Sequence, residues 1–197
     1  MSMTMTTAQA DNPSITETKP DEGDLRRIAA CADSLLAQSR AFVEHSRDRY
    51  TDPCAAMMNG TIGAHLRHNL DHFGAAINAA DNAEPIDYDH RARGTPVETD
   101  PDAAIEVIDE LRARLGAMCA NGCADRTVTV RMMLTANGEE AQMRSTLSRE
   151  LAFAAHHALH HHAMMGAIAY AHGLSIPQGF GKAPSTLSHE SSTGAKA

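Results

Sequence analysis

Two well-separated segments of this chain carry histidine at helical spacing, and any fold must give those rings either water or partners. The first is TIGAHLRHNLDHF, with His65, His68 and His72. The second is AFAAHHALHHHAMM, with His156, His157, His160, His161 and His162. Together they hold eight of the twelve histidines in 197 residues. Spacings of three and four put side chains on one helical face. Neutral imidazole is the commonest metal ligand, and two facing helices can close a site between them. The pattern therefore points to a helical protein with a histidine-built metal centre. The bland alternative is a solvated histidine-rich surface.

The rest of the chain reads as one domain. Residues 1–21 are polar and acidic and are expected to form a disordered N-terminal tail. Residues 22–190 form a single helical domain, and 191–197 a loose C-terminal tail. Aromatic residues make up 4% and Trp is absent, which favours close-packed helices over a sheet sandwich. Helices are expected over 22–50, from Thr61 to about 81, over 101–120 and over 147–172. Thr61 and Asp100 are the N-caps, Pro101 a first-turn proline and Gly173 the final stop. Val128, Val130, Met132 and Leu134 alternate with polar or exposed positions, and Asn137-Gly138 is a hairpin turn signal. A β-hairpin is therefore expected before the last helix, with 140–146 as its return strand. The stretch IDYDHRARGTPVETD reads as a long loop of the kind that usually carries function.

Several function classes are disfavoured. A net charge of −8 without a basic cluster argues against a nucleic-acid partner. No apolar run is long enough for a bilayer, and the N-terminus lacks a signal-peptide pattern, so a cytoplasmic location without membrane attachment is expected. Cys31, Cys54, Cys119 and Cys123 lack zinc-site spacing and read as packing residues.

Helix geometry ranks the histidines. At about 100° per residue, His161 lies about 60° from the centre of the last helix's apolar stripe and His157 about 100°. His162 falls near the stripe centre, whereas His156 and His160 point toward solvent. His157 and His161 are therefore better placed than His156 and His160 to line a site, and Glu150 on the same face is a candidate to orient a ligand. In the earlier helix all three histidines lie on one flank. His65 and His72 lie nearer the stripe, so the wheel alone does not select His68. Two donors from one helix and one from another would leave open positions, the pattern of a catalytic site.

At these residues the chain resembles the DinB-like (YfiT-like) family of metal-binding four-helix bundles. The family pattern has a Ser/Thr-Ile helix start with a ligand histidine seven residues on, matched by Thr61-Ile62 and His68. Its late His-x-x-x-His pair is matched by His157 and His161, with His160 just before the second. An uncharacterised branch is closer still. Its marks here are Gly63-x-His65-x-Arg67-His68, Tyr88-Asp89-x-Arg91-x-Arg93 and Phe180-Gly181-x-Ala183-Pro184-Ser185-Thr186. The resemblance spans roughly 25–190.

The resemblance implies an all-α, four-helix bundle of DinB/YfiT type, to which the expected hairpin would be an insertion. It implies His68, His157 and His161 as the metal ligands, with His65 and His160 as candidate extra or supporting groups. Zn²⁺ or Ni²⁺ suits such a site, and a low-molecular-weight thiol is a candidate co-substrate. A metal-dependent transferase or hydrolase acting on a small molecule follows as the leading expectation. Tyr88, Asp89, Arg91 and Arg93 are then candidate substrate-binding residues, the arginines as anion clamps, with Asp87 or Asp89 as base or support. Ser185, Thr186 and His189 would close over the pocket or cap the bundle. A further ligand from His65 or His72 would instead favour a non-catalytic metal-binding or stress-response protein. A third reading is an interaction module with pH-sensitive histidines. A homodimer fits an Ala-rich helical protein.

Overall fold

The computed structural model describes residues 22–82, 84–90, 92–122 and 124–194. The expected N-terminal tail, Arg91, Cys123 and the last three residues lie outside them. The described chain is mainly helical with a small three-stranded sheet. Helix α1 spans Glu22–Ser46, α2 Ile62–Asp81, α3 Pro101–Ala120, α4 Leu147–Ala171 and α5 Pro184–Ser192. Strand β1 is Ile86–Asp87, β2 Thr127–Met133 and β3 Glu140–Thr146. None of the helices is long and apolar enough to cross a membrane.

Local chemistry sets the helix starts. Thr61 accepts a hydrogen bond from the Ala64 N–H at 3.0 Å, Asp100 from Asp102 at 2.9 Å, and Thr146 from Arg149 at 3.2 Å. Each cap satisfies a donor that the first helical turn leaves open. The first helix stops earlier than its periodicity suggests, because Arg47–Arg49 tighten into a 3-10 turn. After α4, Gly173 takes a left-handed conformation at φ +79° and ends the helix.

The four long helices pack as a closed circuit: α1 against α3 and α4, and α2 against α3 and α4. Their apolar stripes meet in one core. Leu36 and Phe42 come from α1, Ile62, Leu66 and Phe73 from α2, Ile108 and Leu115 from α3, and Leu151 and Ile168 from α4, all essentially inaccessible. Each such side chain contributes about 1.5–3 kcal/mol by burial. Ala154 and Ala158 are fully buried on α4. These small side chains let the helix that bears the second histidine cluster approach its neighbours closely.

The sheet has a feature the sequence did not announce. The stretch read as a featureless loop supplies β1, whose Ile86 and Asp87 pair in parallel with Val130 and Arg131. Two residues leave no room for a visible alternation. The hairpin itself runs in antiparallel register from Thr127↔Thr146 to Met133↔Glu140. Its turn is longer than a two-residue Asn-Gly connection: Leu134 N–H bonds to Glu139 O at 2.7 Å and Gly138 N–H to Thr135 O at 3.0 Å. Only Gly138 of the Asn-Gly pair adopts positive φ.

Past α4 the chain returns across the helices. Phe180 stacks on Phe42 with centroids 4.1 Å apart and on His162 at 4.5 Å. A side chain at Gly181 would stand 2.6 Å from the Ala163 backbone nitrogen, so only glycine fits that crossing. Ser185, Thr186 and His189 sit exposed on α5.

Candidate metal centre

The seam between α2 and α4 brings the two histidine segments together. His68, His157 and His161 each aim one potential ligand atom at the same point, with the three atoms within 4.8 Å of one another. His68 Nε2 and His157 Nε2 are 3.1 Å apart. Two donors on one tetrahedral ion, bound at about 2.0–2.1 Å, would be about 3.3 Å apart. The donor chemistry and the spacing therefore fit a divalent metal ion.

The exposure pattern follows the helical wheel on α4. His162 is fully buried and His161 nearly so, His157 is half-buried, and His156 and His160 face solvent. His160 lies beside the cluster, its ring 5.4 Å from that of His161, but outside the converging group. On α2 the wheel misranks the flank. His68 enters the group while His65 and His72, nearer the apolar stripe, support it. The reason is that α4 packs along this flank of α2, so proximity to the α2 stripe is not proximity to α4.

His65 Nδ1 lies 3.2 Å from His161 Nδ1. In the tautomer where His161 donates that proton, its Nε2 lone pair is the one left for a metal. His72 is buried, and its Nδ1–H donates to the His68 carbonyl at 2.9 Å. Its ring stacks on His157 at 4.1 Å and on Tyr88 at 4.7 Å. Neither His65 nor His72 belongs to the converging group.

Electrostatics disfavour a proton on His161 and His65. Burial, then the nearby His157, His68, His65 and His160, push His161 down to about 2. Burial and His160 also lower His65. A proton is therefore a poor competitor for these lone pairs near neutral pH, as metal binding by imidazole requires.

Glu150 is buried, and its hydrogen bonds among the described residues go to groups other than the ligand rings. It accepts hydrogen bonds from Tyr88 Oη at 2.8 Å, Ser145 Oγ at 2.5 Å and Arg149 Nη1 at 2.8 Å. Its influence on the cluster passes through Tyr88 and the ring of His72. Burial and the bond to Glu150 raise the Tyr88 hydroxyl above its ordinary range, so it stays a donor.

The loop residues divide differently from expectation. Asp87 Oδ2 holds Arg131 and the ring of His90, while Oδ1 accepts the backbone N–H groups of Asp89 and His90. Partial burial pushes this carboxyl up, but the His90 N–H, Arg131, the Asp89 N–H and the His90 ring outweigh it and hold it well below the carboxylate range. It is a structural anion rather than a base. Asp89 accepts the Met133 N–H at 2.7 Å and so fastens the loop to β2. Arg93 is exposed, and Arg91 lies outside the described residues.

The motif Gly63-x-His65-x-Arg67-His68 acquires a physical meaning that sequence reasoning missed. A side chain at Gly63 would meet Glu98 O at 2.1 Å and the Tyr50 ring at 2.7 Å, so glycine permits the loop to lie on the start of α2. Arg67, almost buried, holds that loop through Glu98 at 2.5 Å and the Ala92 carbonyl at 3.0 Å, and pairs with Asp71 at 3.0 Å. An arginine beside histidines on a helix was the available signal. Among the described residues Cys31, Cys54 and Cys119 are free thiols.

The chain is 35% identical over 104 residues to FK506-binding protein 5 of Rhizopus delemar. The match covers 53% of this chain and 27% of that protein, so the chain spans about a quarter of that relative's length. No protein-family model and no solved structure matches the chain.

Proposed function

We propose that this chain is a four-helix bundle of the DinB-like type that binds one divalent metal ion and acts as a metal-dependent transferase or hydrolase. The observation that carries the reading is the convergence of His68, His157 and His161 from two helices within 4.8 Å. A bound ion there would supply Lewis-acid chemistry, lowering the pKa of a water or thiol or polarising a carbonyl. Three neutral imidazoles leave its charge intact. Zn²⁺ and Ni²⁺ both suit imidazole donors.

The chain's own residues would prepare the donors. His65 Nδ1 accepts a hydrogen bond from the His161 Nδ1–H and fixes the orientation of that ring. His72 braces His157 by stacking and the His68 turn through its carbonyl. Tyr88 and Glu150 lock His72 from behind. Because His65 bonds to the far nitrogen of the His161 ring and is not itself one of the converging donors, the arrangement favours an open coordination position over a closed four-ligand structural site.

The test is elemental analysis of tag-free protein beside His68→Ala and His157→Ala. The expected result is about one metal ion per chain in the wild type and none in either variant. No stoichiometric metal, or equal metal in all three proteins, overturns the reading. Hydrolysis and thiol-transfer assays on the loaded protein then decide between an enzyme and a non-catalytic metal protein.

A further inference from the structure

A separate cavity of about 570 Å³ opens between α2, the 86–98 loop and α3. It lies on the face of α2 that carries Arg67, Leu70, Asp71, Gly74, Ala75 and Asn78, well round the helix from the histidines. Its size falls in the range of small-molecule sites, about 300–1,000 Å³. The floor is apolar, from Leu70, Val97, Val107 and Leu111. Gly74, Ala75 and Ala103 make the room. A Cβ built at Gly74 would only just touch Leu111, at 4.0 Å.

The rim fixes the sign of the ligand. Among the described lining residues Arg67 is the only cation, and it already serves Asp71, Glu98 and the Ala92 carbonyl. It therefore has little to offer an anion. Asp87 and Glu106 add two further carboxylates. Arg131 answers Asp87 from outside the cavity, whereas Glu106 forms no ion pair among the described residues. Thr95 contributes a buried hydroxyl with no hydrogen-bond partner among the described residues. An apolar ammonium ion would bury its body on the floor and set its N–H donors among the carboxylates and the Thr95 oxygen.

We infer that this cavity binds a small organic amine with an aromatic or alkyl body. The inference does not depend on a metal at the histidine cluster. The experiment is calorimetric titration of the full chain with phenethylamine and with its anionic counterpart 3-phenylpropionate, with and without EDTA. Saturable binding of the amine, stronger than that of the carboxylate and unchanged by EDTA, is the expected result. Ala75→Phe and Ala103→Phe should fill the cavity and abolish it, with thermal melts confirming that at least one variant folds. Glu106→Gln, an exposed change that spares the fold, should weaken the amine by up to about fivefold, the effect of one partly exposed charge pair. No saturable binding, equal binding of the carboxylate, loss of binding on chelation, or retained binding in a folded cavity-filled variant would each overturn the assignment.

Discussion

Two adjacent residues of α4, His161 and His162, are both buried and yet inhabit opposite kinds of site. His161 faces α2, where His68 and His65 of that helix, with His157 of its own, bring nitrogen atoms to meet it. His162 faces α1 and the returning tail, where Ser39 Oγ lies 2.7 Å from its Nε2 and Phe180 covers its ring. Burial pushes His162 down to about 4, and burial with neighbouring imidazoles pushes His161 lower still. What separates a candidate ligand from a core histidine is therefore not burial or a depressed pKa. It is whether other lone pairs converge on the same point.

The sharpest way to break that contrast is to truncate each residue in turn. His161→Ala should abolish stoichiometric metal binding with a modest change in the melting of metal-free protein. His162→Ala should keep the metal but open a void beneath Phe180, costing about 2–5 kcal/mol in chemical denaturation. Metal retained in the first variant and lost in a folded form of the second would reverse the assignment of the two sites.

A smaller effect is expected one residue further from the donors. His65→Ala should leave the stoichiometry intact and weaken metal affinity by about 10–100-fold, as loss of an orienting partner does. Competition with a chromophoric chelator measures it. Complete loss of metal would make His65 a ligand in its own right.

Acid sharpens the comparison in another way. Both histidines have folded-state values below the ordinary 6.5, so the unfolded chain binds protons that the folded chain refuses. Stability of metal-free protein should be level above about pH 6.5 and fall as pH drops below it, at about 1.4 kcal/mol per pH unit for each group. The His162 share should end near pH 4 and that of His161 should continue to lower pH. His162→Leu should make the fall shallower between pH 6.5 and 4; an unchanged slope in urea titrations would contradict the assignment.

The smallest effect should come from Tyr88→Phe. It keeps the ring against His72 but removes one of three hydrogen bonds to buried Glu150. A loss of about 1–3 kcal/mol in stability with little change in metal affinity is expected. A large loss of affinity would show that Tyr88 governs the cluster more directly than by stacking.

Much of this architecture is legible in the residues themselves. Thr61, Asp100 and Thr146 begin helices because their side-chain oxygens reach the next turn's N–H groups, a purely local interaction. The period-2 pattern reports the buried side at Val128 and Val130 but not at Met132 and Leu134, which the hairpin's far end leaves exposed, and the 3.6 period of α4 reports its buried side, which His161 and His162 follow. Strand β1 is too short to show a period, and its place beside β2 depends on a partner 44 residues away. The same limit applies to the loop: the charges of Asp87 and Asp89 look available for chemistry in sequence, and only packing reveals that they anchor the loop to β2.

The sequence by itself determined the four long helices, the hairpin and the existence of two histidine-bearing faces, because propensity, capping and periodicity act within a few residues; helix α5 was not legible in it. Only the tertiary structure decided which histidines meet. The rotation and offset of α2 against α4 bring His68 to His157 and set His72 as their brace. That geometry is fixed by small buried side chains such as Ala154 and Ala158 and by the loop held to α2 through Gly63 and Arg67. Helix spacing defines a face; close packing of the opposing surface selects the atoms that face uses.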